Sequence, residues 1–175
     1  YINVRESGAP TKEIGYPLNL NYGGIYTPNT TFFRNNKDKF YTLRDVTFKC
    51  DVITVAALSF TGRMDYSYAD EMSYRAPDGS FTAEGEAIMV NKIRTVFRMG
   101  VEHGKDALVL GAFGCGAYKL PVPEVVRLFR MVMEEPEFKN KFRLLVFAIM
   151  ESTKRANGLE GKFADFYREF GTYDI

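Results

Sequence analysis

The sequence predicts an α/β fold in which strands and helices alternate around a single hydrophobic core. The first observation is a set of short, almost continuously apolar runs, which are typical of strands covered on both faces. These runs lie at Asp51–Leu58, Asp106–Gly111 and Phe142–Met150. The second is that segments with helical spacing of apolar residues separate the runs. With 175 residues, 46% of them apolar, the chain can bury one sizeable core. We therefore expect a single domain, residues 1–175, with a largely parallel sheet at its centre.

The first part of the chain contains loop and strand signals. Residues 1–24 are rich in glycine and proline and are expected to form a loop-like start. Strand-like pieces flank a turn at Pro28, and Phe40–Thr42 is expected to begin a weak edge strand. The first full strand is predicted at Val46–Leu58. The polar and aromatic stretch 61–82 is interpreted as a surface excursion, either a lid or a variable insertion.

Helix signals dominate the remainder of the chain. Thr82 is a residue type that caps helix N-termini, and the apolar spacing that follows it is amphipathic. This helix is expected to end at His103, since glycine follows it and is the usual residue after a helix C-terminus. Further helices are predicted at Pro123–Met133 and Ala164–Phe170.

Composition excludes several functional classes. The 23 basic and 22 acidic residues nearly cancel, so no broad DNA-binding or acidic-membrane surface is expected. No apolar run approaches the length of a membrane span, and no signal peptide is visible. The two cysteines are too few for a disulfide scaffold and are expected to be reduced thiols in a cytoplasmic protein. No metal site and no cofactor are predicted.

The stretch Leu108–Pro121 suggests a binding site. An apolar strand ends at three glycines, Gly111, Gly114 and Gly116, and a helix follows. Such a turn lets backbone N–H groups converge on an anion close to a helix N-terminus. The spacing is neither that of a P-loop nor that of the dinucleotide fingerprint. The alternative interpretation is a tight strand-to-helix turn in which glycine is needed for positive φ.

The residues around this loop resemble a known family. The run Lys92–Tyr118, K-I-R-T-V-F-R-M-G-V-E-H-G-K-D-A-L-V-L-G-A-F-G-C-G-A-Y, is similar to the microbial type of poly(ADP-ribose) glycohydrolase, a branch of the macrodomain fold. Ile25–Arg34, I-Y-T-P-N-T-T-F-F-R, resembles that family's I-Y-S-P-D-V-P-F-F-R segment, and Val52–Ala57 resembles its V-I-T-S-P-A segment. Leu145–Met150 resembles its last strand. The resemblance implies a three-layer α/β/α macrodomain-like fold with a mixed, largely parallel sheet.

The resemblance also implies a ligand, ADP-ribose or an ADP-ribosylated protein, and the residues that would contact it. The glycine-rich loop would wrap the diphosphate, and it comprises Gly111, Ala112, Phe113, Gly114, Cys115, Gly116 and Ala117. Tyr118 occupies the place of an aromatic residue that packs near the distal ribose. The adenine or the neighbouring sheet edge would lie near Thr54, Ala56, Ala57, Met150 and Glu151.

Three further side chains invite a functional reading. Cys115 and His103 could suggest a thiol hydrolase, because a cysteine nucleophile needs a nearby base. We do not favour this interpretation, since the two residues are expected at opposite ends of one strand. Arg94 matches a family arginine on the helix, and a structural ion pair is the role we expect for it.

No catalytic residue is assigned within the chain. The family's catalytic signature is a triple-glycine loop followed by Gln-Glu-Glu, one glutamate of which protonates the leaving ribose oxygen. This sequence contains no Gly-Gly-Gly and no glutamine, and its only paired glutamates, Glu134 and Glu135, fall at a predicted helix end. Two explanations stay open. Either an N-terminal part is absent from this chain and its role falls to a missing segment or a second chain, or the domain is a reduced one. Besides the enzyme, two alternatives stay open: a catalytically silent ADP-ribose or nucleotide-metabolite binding module, and a structural interaction partner.

Overall fold

The computed structural model describes residues 18–61, 73–149 and 161–171, and it confirms the predicted α/β class. The elements, in chain order, are β1 (Ile25–Arg34), β2 (Leu43–Thr54), α1 (Ala83–Glu102), β3 (Ala107–Leu110), α2 (Val122–Met133), β4 (Leu144–Phe147) and α3 (Lys162–Phe170). A short 3-10 helix, Lys37–Lys39, lies between β1 and β2. Within the described residues, the strands pair as an antiparallel β1–β2 hairpin and a parallel β3–β4 pair.

The β1–β2 hairpin contains a bulge at the predicted turn. Its register shifts between Thr27 and Thr30, and Asn29 between them has a φ of 54°. Asparagine tolerates this left-handed conformation better than most residues. The two strand-like pieces that the sequence places on either side of Pro28 therefore belong to one continuous strand.

The predicted edge strand at Phe40–Thr42 is wrong. Phe40 and Tyr41 have φ values of 50° and 53°, so both residues lie in the left-handed region. They reverse the chain between β1 and β2, and the Tyr41 N–H donates to the Asn36 carbonyl at 3.1 Å. Bulky residues rarely adopt this conformation, and aromatic residues are common in strands. The sequence therefore suggested a strand here.

The strand predicted at Val46–Leu58 begins and ends earlier, at Leu43 and Thr54. Its first eight residues are exposed. Within the run Asp51–Leu58, which was expected to be covered on both faces, the strand is half-buried up to Ile53 and exposed at Thr54, so it is not fully covered. Ala57 and Leu58 are buried in the core, but they lie beyond the end of the strand. An apolar run alone does not separate a strand from a buried connection that continues it.

The boundaries predicted for α1 are confirmed. The Thr82 hydroxyl accepts a hydrogen bond from the Gly85 N–H at 3.2 Å, which satisfies one of the free donors of the first turn. At the other end, His103 is the C-cap, and Gly104 has the positive φ, 63°, that glycine adopts readily. Both signals are local, so the sequence alone was sufficient to place them.

Aromatic side chains form the core between α1, α2 and the strands. Phe97 of α1 is fully buried and packs edge-on against Phe142, with ring centroids 5.5 Å apart. α2 contacts both α1 and α3, and Phe166 of α3 is buried against it. Phe163 and Tyr167 lie on the exposed face of α3. Among the helices of the described ranges, none is long and apolar enough to cross a membrane.

Residues 73–82, directly before α1, pack against the core. Residues 62–72 of the predicted surface excursion lie outside the described residues. Phe81 is buried, and its N–H donates to the Glu124 carboxylate on α2 at 3.0 Å. The Thr82 N–H donates to the Tyr74 carbonyl at 2.9 Å. This end of the excursion is therefore anchored against the body of the domain.

Candidate functional site

The glycine-rich loop connects the carboxyl end of β3 to the start of α2, as the sequence predicted. Two short turns shape it: the Cys115 N–H donates to the Ala112 carbonyl at 3.0 Å, and the Leu120 N–H donates to the Gly114 carbonyl at 3.1 Å. The segment after β2 holds it in place, because the Phe60 N–H donates to the Tyr118 carbonyl at 2.8 Å. The loop therefore lies beside the ends of both β2 and β3, where open α/β sheets bind ligands.

Gly114 is required by the packing of the loop. Its φ is 72°, and a Cβ placed there would come within 2.9 Å of the Ala57 Cβ and would overlap the Leu120 side chain. No larger residue fits this position without moving its neighbours. The same contact explains why residue 57 has a small side chain, since Ala57 is 7% exposed and packs against the loop.

Gly111 and Gly116 have no comparable reason to be glycine. A Cβ at either position would meet no atom within 4 Å among the described residues, and neither has a positive φ. Both residues lie on the exposed part of the loop. Internal packing and backbone strain therefore leave these two glycines unexplained, whereas close approach of a ligand to the backbone would explain them.

Several backbone donors of the loop are available to a ligand. Within the described residues, the N–H groups of Gly114, Gly116, Ala117 and Tyr118 donate no hydrogen bond to the protein. The Tyr118 side chain is 43% exposed beside them. The N-terminus of α2 follows at Val122, although Glu124 in its first turn adds a negative charge there. The Glu124 carboxylate is engaged with the Phe81 N–H, as described above.

The other predicted ligand residues are placed differently. Thr54 and Ala56 are exposed at the end of β2, whereas Ala57 is turned to the loop. Met150 and Glu151 lie outside the described residues. The structure thus brings the end of β2 next to the glycine loop, as the sequence suggested.

Cys115 and His103 do not form a catalytic dyad. The Cys115 thiol is buried, donates to the Phe113 carbonyl at 3.5 Å, and has its pKa raised by burial to about 12. His103 lies at the other end of β3 and stacks on Tyr26, with ring centroids 3.5 Å apart. A protonated thiol without a nearby base is a poor nucleophile.

The paired glutamates and Arg94 serve structural contacts. Arg94 binds the Glu135 carboxylate through two nitrogens, with the shortest separation 2.7 Å. This contact ties α1 to the end of α2 and confirms the structural role expected for Arg94. Glu134 pairs with Lys139 at 3.1 Å. Neither carboxylate lies at the glycine loop.

A polar cluster that sequence reasoning missed lies at the amino end of β3. The Asp51 carboxylate accepts hydrogen bonds from the Tyr26 hydroxyl and from the Asn29 N–H, the latter at 2.7 Å, and it forms an ion pair with Lys105. The hydrogen bond from Lys105, followed by that from Tyr26, lowers the pKa of Asp51 well below its usual range. Burial, together with the hydrogen bond to Asp51, raises the pKa of Tyr26. The available signal was a single acidic residue at the start of an apolar run.

An elongated cleft of about 800 Å³ connects this cluster to the glycine loop. β2 lines one side and β3 the other, and α1 and α2 contribute Val96 and Phe129. Asp51 and Lys105 border one end, and Gly111 borders the other. Within residues 18–61, 73–149 and 161–171, no group of histidine, cysteine and acidic side chains could hold a metal ion.

No model of a known protein family matches the chain, and no curated protein sequence matches it. Solved structures do. Poly(ADP-ribose) glycohydrolase from Deinococcus radiodurans in complex with ADP-ribose superposes with a TM-score of 0.65 at 20% identity, over 95% of this chain and 56% of that one. The enzyme from Thermomonospora curvata gives 0.64 at 23% identity, over 84% and 47%. The chain thus spans about half the length of these proteins, and over that span it has the macrodomain-like fold of bacterial poly(ADP-ribose) glycohydrolases.

Proposed function

We propose that this chain binds ADP-ribose, or an ADP-ribosylated protein, with the diphosphate on the Gly111–Ala117 loop. One observation carries the proposal: the exposed loop offers unused N–H donors beside two glycines, Gly111 and Gly116, that internal packing does not require. Backbone donors exposed along one loop favour an anion, and a diphosphate offers several acceptor oxygens to them. The fold shared with a protein solved in complex with ADP-ribose supports the choice of ligand.

The remaining contacts follow from the position of the loop. Tyr118, exposed at the end of the loop, offers a ring to the distal ribose. Thr54 and Ala56 lie at the adjacent end of β2 and would face the rest of the nucleotide. Lys105 is held by Asp51 at the far end of the cleft, so it is not available to the diphosphate. Lys119, by contrast, directly follows Tyr118 in the exposed part of the loop, and its charge would add to the backbone donors.

We further propose that these 175 residues bind the ligand without hydrolysing poly(ADP-ribose). Cleavage of a glycosidic bond needs a carboxylic acid that protonates the leaving oxygen, and general acid catalysis contributes about 10²–10⁴-fold. The sequence lacks the triple-glycine and Gln-Glu-Glu signature, and Glu134 and Glu135 are paired with cations away from the loop. This assigns a binding role to the chain and leaves proton transfer to residues that it does not contain.

Calorimetric titration of ADP-ribose into the 175-residue chain tests the binding proposal. We expect saturable binding of ADP-ribose and weaker binding of ADP, whereas adenosine, which lacks the diphosphate, should give no heat of binding. Binding of adenosine as tight as that of ADP-ribose would contradict the assignment of the loop, as would no binding of ADP-ribose at millimolar concentration. A parallel assay with poly(ADP-ribose) should release no ADP-ribose above the level of a protein-free control.

A further inference from the structure

The outer part of the β1–β2 hairpin, residues 30–50, forms an arm that is exposed on both of its faces. Every residue of this arm is exposed except Thr30 and Asn35, which are half-buried. β2 runs from the arm, past the ion pair between Asp51 and Lys105, to the end that lies beside the glycine loop. The arm therefore lies at the opposite end of β2 from the proposed ADP-ribose site.

The arm holds a large share of the exposed apolar surface. Of the 16 large apolar side chains that are exposed in the described residues, seven lie between positions 32 and 48. Five of these seven are aromatic, namely Phe32, Phe33, Phe40, Tyr41 and Phe48. Phe40, at the turn, is 88% exposed. Exposed apolar groups that are gathered in one place mark a binding surface.

The arm is also basic, although the whole chain is nearly neutral. Between positions 30 and 50 the sequence has five basic residues and two acidic ones. The basic residues are Arg34, Lys37, Lys39, Arg44 and Lys49. Within the described ranges, none of these five forms an ion pair. The overall balance of charge excludes a broad surface for polyanions, but the arm is a local one.

The two arginines of the arm lie over aromatic rings and are held there by the backbone. The Arg34 guanidinium carbon is 5.5 Å from the centroid of the Phe33 ring, and its Nη1 donates to the Tyr41 carbonyl at 2.9 Å. The Arg44 guanidinium carbon is 5.0 Å from the centroid of the Phe48 ring, and its Nε donates to a strand carbonyl at 3.1 Å. A guanidinium has five N–H donors, so each arginine is fixed in position and keeps donors for phosphate oxygens.

Planar rings are available to the bases of a nucleic acid at two places on the arm. Phe32 and Phe48 are cross-strand neighbours with nearly parallel rings, whose centroids are 5.0 Å apart and whose planes differ by 7°. Phe40 and Tyr41 lie at the turn, both with the positive φ that bulky residues rarely adopt. Non-glycine residues held in this conformation are frequent at binding sites. Aromatic rings of this kind stack on bases of any sequence.

We propose that the arm, residues 30–50, binds single-stranded nucleic acid. The bases stack on its aromatic rings, and its arginines and lysines contact the phosphates. A duplex hides the faces of its bases, so a single strand is the form that the rings can bind. The proposal does not depend on the ADP-ribose ligand, because the arm and the glycine loop lie at opposite ends of β2.

Charge and geometry select this partner over the two obvious alternatives. The net positive arm attracts a polyanion, whereas the arms of two copies of the chain would repel each other. A membrane would need the apolar groups on one face. Phe32 and Phe33 are successive residues of a strand and therefore point to opposite faces of the arm.

Fluorescence anisotropy of a labelled oligouridylate, titrated with the 175-residue chain, tests the proposal. A length of about 12 nucleotides lies within the usual range of site sizes for single strands. The probe contains neither adenine nor a diphosphate, so it does not resemble ADP-ribose. We expect saturable binding at about 50 mM salt and an affinity at least about tenfold lower at 200 mM, since three phosphate contacts on a single strand give a slope of about −2. Excess ADP-ribose should not displace the probe.

Two variants of the arm and one matched control make the test specific. Phe40→Asn removes the most exposed ring, and asparagine adopts the φ of 50° more readily than phenylalanine, so the fold should be kept. We expect it to weaken binding about tenfold, the effect of losing one stacked base. Arg44→Gln should lower the salt slope by about 0.7. Lys141→Gln makes the same change in net charge at an exposed position beyond α2, and it should leave both affinity and slope unchanged.

Several outcomes would overturn the proposal. One is no binding of the probe at about 100 μM chain and low salt, where even non-specific complexes form. Another is full affinity in Phe40→Asn, shown to be folded by circular dichroism. If that variant does not fold, the comparison of the two charge variants decides, and equal loss in Arg44→Gln and Lys141→Gln contradicts a site on the arm. Displacement of the probe by ADP-ribose, self-association of the chain through the arm, or tighter binding to anionic vesicles than to the probe would likewise refute it.

Discussion

Valine substitutions at Gly114 and Gly116 should separate folding from binding. At Gly116 a Cβ meets no atom within 4 Å and φ is not positive, so Gly116→Val should leave the melting temperature of the free chain within about 1 °C. At Gly114 the side chain would collide with Leu120 and Ala57, and the positive φ adds strain. Overpacking and strain of this kind each cost about 1–3 kcal/mol, so Gly114→Val should destabilise the chain by about 2–6 kcal/mol.

Gly116→Val should leave the stability of the free chain unchanged but should weaken ligand binding. A ligand present at 100 times its dissociation constant stabilises the native state by about 2.7 kcal/mol, which raises the melting temperature of a domain of this size by about 5–10 °C. Gly116→Val should abolish this shift, because its side chain occupies the face where the diphosphate would meet the backbone. Thermal melts with and without ADP-ribose measure both quantities.

Gly104→Asn is the matched control for these melts. Gly104 lies at the opposite end of β3. A Cβ added there would meet no atom within 4 Å, and its φ of 63° suits asparagine. This variant should keep the full ligand-induced shift. If Gly116→Val also keeps the shift, the reasoning about the loop is refuted, and the ligand does not approach the backbone at Gly116.

Three further predictions concern stability and reactivity. Phe97→Ala should lower the free energy of unfolding by about 3–5 kcal/mol in urea titrations, because Phe97 is fully buried; a loss below about 1 kcal/mol would contradict its place in the core. Because the pKa of Asp51 is lowered in the folded chain, its ionised form stabilises the native state at any pH above the ordinary pKa of an aspartate, and this contribution is lost as the pH falls through the folded-state pKa. Asp51→Asn should therefore be less stable than the parent chain at pH 7, and its free energy of unfolding should fall by a smaller further amount below pH 4. Urea titrations at both pH values would test this. An acid dependence equal to that of the parent chain would contradict the role of Asp51. In the native chain, Cys50 should react with a maleimide and Cys115 should not, because burial holds the pKa of Cys115 at about 12; equal rates by mass spectrometry would refute this.

The features that the sequence predicted well are set by neighbouring residues. The start of α1 depends on the Thr82 hydroxyl and the N–H three residues later, and its end depends on Gly104. The position of the glycine loop follows in the same way from an apolar strand that runs into glycines. Each signal spans only a few residues and is therefore visible in the sequence.

The features that the sequence did not predict depend on contacts between distant segments. Gly114 faces Ala57, 57 residues earlier in the chain, so its packing role is visible only in the fold. The Asp51–Lys105 ion pair likewise joins β2 to the start of β3. The turn at Phe40 was mistaken for a strand because aromatic residues favour strands, and only the hairpin geometry fixes its positive φ.

Backbone amide shifts on addition of ADP-ribose test the central claim most directly. In two-dimensional NMR spectra of the ¹⁵N-labelled chain, the largest changes should fall on the Gly114, Gly116, Ala117 and Tyr118 amides, since these unused donors would face the diphosphate. The amide of Lys139, beyond α2 and hydrogen-bonded to the Glu135 carbonyl, should not move. Shifts confined to the loop and the end of β2 would support an ADP-ribose site at this edge. Saturating ligand that leaves the loop amides unchanged, or moves only residues elsewhere, would contradict it.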